Sequence, residues 1–117
     1  MKHSPKRDEI EPRFKWNLQD IYQDDAAWES DYEQMKAMLV QAAQLQGTLG
    51  QSGAQLLSGL RQIESIDRLG EKLVVYAKMR RDEDNTDNRY QALYDRAETL
   101  MIEIGRASCR ERVYACV

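Results

Sequence analysis

The sequence predicts an all-α fold, an antiparallel bundle of about four helices. Only two prolines and six glycines occur in 117 residues, too little punctuation for a many-stranded sheet. Trp28, Tyr32, Met35, Leu39 and Ala42 recur at spacings of 4, 3, 4 and 3, a narrow apolar seam at the helical period. Tyr90, Leu93, Tyr94, Ala97, Leu100, Met101 and Ile104 likewise share one face of a later helix.

The elements follow in order. Residues 1–13 are charged and contain both prolines, so they read as a mobile N-terminal arm. Phe14 and Trp16 alternate with Lys15 and are expected to strap one end of the bundle. Asn17 can cap a short helical patch in which Leu18, Ile21 and Tyr22 share the inner side. The first long helix starts near Asp24 or Asp25 and ends before Gly47, with Gly47 and Gly50 breaking the chain. Ser52-x-x-Gln55 is a capping box that opens helix two, which carries Leu56, Leu57, Leu60 and Ile63. That helix either ends near Ile63, with Ser65 as a second cap, or runs on. Gly70 inside a helical pattern costs about 1 kcal/mol against alanine, so it is expected where two backbones approach closely.

Helix three carries Leu69, Leu73, Tyr76 and Ala77 into the polar stretch Arg80 to Asn88, which holds no aliphatic or aromatic side chain. Helix four begins near Thr86 or Asp87, where Asn, Thr and Asp side chains can accept from free backbone N–H groups. Short joins make the helices antiparallel neighbours. The expected set of buried large side chains is Trp28, Tyr32, Met35, Leu39, Leu60, Leu73, Tyr76, Leu93, Tyr94 and Leu100.

Charged residues make up 32% and hydrophobic ones 42%, and the net charge is −3. No basic stripe is present to track phosphates, which argues against nucleic acid as a partner. No apolar run approaches the roughly eighteen residues of a membrane span. The start, MKHSPKRDEIEPR, lacks the apolar centre of a secretory signal, so a cytoplasmic protein is expected.

Candidate chemistry is sparse. Asp82, Asp84 and Thr86 alternate as calcium-loop ligands would, but the glycine position holds Asp87 and the bidentate glutamate position holds Leu93. A solvated turn with local ion pairs accounts for them better. His3 is the single histidine, whereas a zinc peptidase site needs two histidines one helical turn apart and a glutamate. No Ser-His-Asp or Cys-His pair can be assembled, and Gly47, Gly50 and Gly53 do not form a phosphate loop. Arg61, Arg68, Arg80, Arg81, Arg89 and Arg96 are spread along the helices as a solvated face would be. No catalytic, cofactor-binding or metal-ligating residue is expected in this chain.

Two stretches nevertheless resemble a known family. FKWNLQDIY at Phe14 to Tyr22, followed by Trp28-Glu29 and Tyr32, resembles the opening of the oligoendopeptidase F group of M3-family bacterial zinc metallopeptidases. LVVYAKMRRDEDNTDNRYQALYDRA at Leu73 to Ala97 resembles the same family further on, and the likeness covers residues 12 to 104. It implies a cytoplasmic, all-α enzyme several times longer than this chain. The implied active site lies downstream, on an HExxH zinc helix with a third, glutamate ligand, and cleaves short peptides internally. Residues 14–104 would then form part of a helical cover over the cleft, with the remainder of the same chain as partner. None of the zinc ligands has a counterpart here, so no cofactor is implied for this chain itself.

The end reads differently. IGRASCRERV, from Ile104 to Val113, loses the apolar spacing, and both cysteines, Cys109 and Cys116, fall in this region. Residues 105–117 look like a translated sequencing adapter and are expected to be a non-native tail. The alternative to the peptidase fragment is a free-standing helical interaction module without enzymatic activity, whose seam docks a partner helix.

Overall fold

Asp24 opens the first helix as its N-cap: its carboxylate accepts from the Ala27 N–H at 2.8 Å. In the computed structural model, which describes the backbone of residues 3–115 and the side chains of residues 3–106, three α-helices follow. They are α1 (Asp25–Ala43), α2 (Gly53–Glu83) and α3 (Asn88–Ala115), preceded by short 3₁₀ turns at Arg7–Glu9, Pro12–Phe14 and Leu18–Asp20. No strand occurs among the described residues. The all-α expectation holds, with α2 replacing the separate second and third helices.

Glycine explains the break after α1 and is accommodated within the unbroken α2. Gly47 takes a φ of +77°, a left-handed conformation that releases the chain from α1. Ser52 then caps α2 by accepting from Gln55 N–H at 3.0 Å. The Gln55 amide does not reach back to complete the box; it donates to Thr48 at 3.3 Å, tying the loop to the helix. Ser65 does not cap either, because its hydroxyl donates to the Arg61 carbonyl and leaves the helix unbroken. Gly70 lies within the unbroken α2 and clears space for side chains rather than for a second backbone. A Cβ there would lie 2.3 Å from Met101 Sδ and 2.9 Å from Met35 Cε.

The turn between α2 and α3 is shorter than the polar stretch, since Arg80 to Glu83 remain helical and only Asp84 to Asp87 reverse the chain. The three helices close over Trp28, Tyr76, Met35, Ile66 and Leu73, all fully buried. Trp28 donates its indole N–H to the Leu73 carbonyl at 2.9 Å, pinning α1 to the middle of α2. Tyr22 closes the same end, its ring edge-on to Tyr76 at 5.3 Å. Truncating a fully buried leucine such as Leu73 should remove about 2–5 kcal/mol.

Three expectations about packing fail. Phe14 and Trp16 are 69% and 56% exposed, so the strap is made by Leu18 and Tyr22 instead. Leu60 is 52% exposed because α2 turns Gly59 inward, against Leu49. Tyr32, Leu39 and Tyr94 are only partly buried. Asn17 stands at its cap position but gives its amide to Asp20 rather than accepting a backbone N–H. The backbone of α3 stays helical through Ala115; the side chains of residues 107–117, Cys109 among them, and all of Cys116 lie outside the described residues.

Candidate functional site at the helical turn

The polar groups of the chain gather where α2 meets α3. Asp25, in the first turn of α1, receives two tyrosine hydroxyls: Tyr76 of α2 at 2.8 Å and Tyr90 of α3 at 3.0 Å. One carboxylate, close to the positive end of a helix dipole, thus joins all three helices. The Arg80 guanidinium lies over both tyrosine rings, 5.5 Å from the Tyr76 centroid and 5.4 Å from that of Tyr90. Its Nε donates to the Tyr76 hydroxyl at 3.3 Å. Glu83 accepts from Arg80 and from Arg7, which brings the N-terminal segment onto the end of α2.

A second polar tie lies one turn further along α1 and six residues further along α3. Arg96 donates to both carboxylate oxygens of Glu29, at 2.5 and 2.8 Å, while its guanidinium lies over Trp28 and Tyr32. That hydrogen bonding holds the Glu29 carboxyl below the usual carboxylate range. Burial, reinforced by the Asp25 hydrogen bond, pushes the Tyr76 phenol up to about 12 and raises Tyr90 for the same reasons. Burial and the Asp31 hydrogen bond also raise Tyr22. Each shift stabilises the neutral phenol or the charged carboxylate near neutrality, so these groups act as ties and none is poised to exchange a proton.

The acidic turn itself is occupied by its own chain. Asp84 accepts from the Thr86 N–H at 2.9 Å and the Thr86 hydroxyl at 2.6 Å. Asp82 pairs with Lys78 at 2.6 Å, and Asp87 with Arg89 at 2.7 Å. The turn thus carries local ion pairs, as expected, with Lys78 and Arg89 as the nearest cations. A recess of about 730 Å³ lies between this turn and the N-terminal segment, lined by Lys6, Arg7 and Lys15 facing Asp82, Glu83 and Asp84.

Among the described residues no three His, Cys, Asp or Glu side chains converge as metal ligands would. His3 is exposed, its ring nitrogen 2.5 Å from the Ser4 carbonyl. This donor set does not fit a zinc site. Sequence reasoning missed Asp25 as a hub, having placed it only as a helix start. It also counted Arg80 and Arg96 with the solvated arginines. Tyrosines flanking a turn, with an acid at the head of a neighbouring helix, were the available signal.

No protein-family model matches the chain, and no solved structure matches it. Curated proteins do. Oligopeptidase PepF of Bacillus subtilis (strain 168) is 32% identical over 105 residues, which is 89% of this chain and 16% of that protein. Oligoendopeptidase F (plasmid) of Lactococcus lactis subsp. cremoris is 33% identical over 100 residues, 85% of this chain and 17% of that protein. The chain is a relative of the oligoendopeptidase F oligopeptidases. Group B oligopeptidase PepB of Streptococcus agalactiae extends the same likeness, at 31% identity over 83% of this chain and 16% of its own length. The chain therefore spans about a sixth of the oligopeptidases it matches.

Proposed function

We propose that this chain is the N-terminal, non-catalytic part of an oligoendopeptidase F-like zinc metalloendopeptidase of the M3 family. The complete enzyme would work in the cytoplasm on short peptides. The observation that carries this reading is the likeness at 31–33% identity across most of this chain, set against so small a share of each relative. A composition with one histidine supports it, since the HExxH helix of such an enzyme must come from elsewhere in the polypeptide. Residues 14–104 are then a helical scaffold held rigid by the Asp25 and Glu29 ties. Residues 105–117 are read as a non-native tail. No helix among the described residues is long and apolar enough to cross a membrane.

The test is the uninterrupted genomic reading frame. An HExxH motif far downstream of residue 104, in frame, is the expected result. A natural stop near residue 117 would overturn the proposal in favour of a free-standing helical module. Purified residues 1–117 should also bind no stoichiometric zinc and cleave no peptide. Tight one-to-one zinc binding that survives removal of residues 105–117 would contradict the assignment.

A further inference from the structure

An apolar groove of about 490 Å³ runs between α2 and α3, away from the turn cluster. Val74, Val75, Met101 and Ile102 form it, and Glu71 and Glu98 stand on its two walls as the only charged groups among the described residues lining it. Val75 is 45% exposed and Ile102 57%, on helices that each pack one other face into the core. From this we infer that the groove seats an amphipathic helix with lysine or arginine at its flanks, supplied by the later part of the same peptidase polypeptide. The inference rests on the proposed function, because it needs a longer chain to supply the helix.

Four observations select that occupant. Two antiparallel helices present parallel ridges with a channel between them, which the ridge of a third helix fills at spacings of three and four. Carboxylates on both walls favour basic flanks. A second copy of this chain fits poorly, since any two-fold pairing across the groove sets Glu71 and Glu98 of one copy against those of the other. The matched relatives are about six times longer than the region they share with this chain, so polypeptide to supply the helix is plentiful.

Cysteine labelling tests this on two polypeptides: the 117-residue chain and the full product of the uninterrupted reading frame. Val75→Cys, Ile102→Cys and, as an exposed reference, Gln91→Cys are treated with a maleimide, and labelling is read peptide by peptide by mass spectrometry. In the short chain all three should label quickly. In the full product the first two should slow by about tenfold or more while Gln91→Cys is unchanged, because access then requires local opening. Equal labelling of Val75→Cys and Ile102→Cys in both polypeptides would overturn the docking site while leaving the peptidase reading intact. A reading frame that stops near residue 117 would overturn the reading itself, and the helix with it. Adding Glu71→Lys and Glu98→Lys to the full product should restore labelling at Val75→Cys; undiminished protection would overturn the basic-flanked occupant.

Discussion

At the turn end of the bundle, Trp28, Leu73 and Tyr76 are fully buried, and Asp25 ties α1 to α2 and α3 through two tyrosine hydroxyls. At the other end of α2, Leu56, Leu57 and Leu60 stay 39–52% exposed, although they repeat at helical spacing as well. The two ends are segments of one continuous helix, so intrinsic helix propensity does not separate them. What separates them is cover. α1 and α3 both close on the turn end, and the polar groups there satisfy one another across three helices. Among the described residues the leucine end offers an apolar stripe with no comparable network. Periodicity marks a face that can be buried; only neighbouring helices decide whether it is.

Truncation should expose this contrast most strongly. Leu73→Ala is expected to cost about 2–5 kcal/mol, whereas Leu60→Ala, already half exposed, should change stability by no more than about 0.5 kcal/mol. Chemical denaturation of the two variants measures both. Equal losses would erase the distinction between the ends.

Next in size is the alkaline limb of stability. Tyr22, Tyr76 and Tyr90 all have phenols raised in the folded state, Tyr76 to about 12. Their contribution is fully present below the unfolded tyrosine value near ~10 and is lost as pH climbs from there through the folded values. Thermal melts should therefore weaken steeply above about pH 10, and Tyr76→Phe with Tyr90→Phe should flatten that dependence. A slope unchanged by the double variant would mean the Asp25 hub does not hold the turn end. Glu29 works in the opposite sense. Its lowered value gives stability above the unfolded glutamate range that is lost as pH falls through the folded one.

Glycine gives the smallest and sharpest contrast. Gly70→Ala forces Met101 and the fully buried Met35 to move, at a cost of about 1–2 kcal/mol. Gly53→Ala meets nothing within 4 Å and should be neutral or slightly stabilising. Denaturation midpoints of the pair check this directly, and a neutral Gly70→Ala would show that the core yields more easily than its packing suggests.

The seam of α1, its start near Asp24 or Asp25, the Ser52 cap and the apolar face of α3 were legible because each is a local pattern of spacing or hydrogen-bonding type. The exposure of Leu60 was not, because the choice between Gly59 and Leu60 as the inward residue depends on Leu49 in a different element. The Asp25 hub was only hinted at, by tyrosines flanking a turn and an acid at the head of a neighbouring helix. Tyr76 and Tyr90 lie 51 and 65 residues away in sequence, and nothing in their helical faces shows where their hydroxyls end. Phe14 and Trp16 misled because aromatic type was read as packing, whereas the buried closure fell to Leu18 and Tyr22. Contacts at long separation decide both the site and the errors.

Native-state hydrogen exchange along α2 tests the contrast between the ends most directly. Amides of residues 66–80 should exchange slowest, close to the rate set by global unfolding, and those of residues 54–62 much faster, through local opening. Uniform protection along the whole of α2 would contradict this, since both ends would then be equally covered.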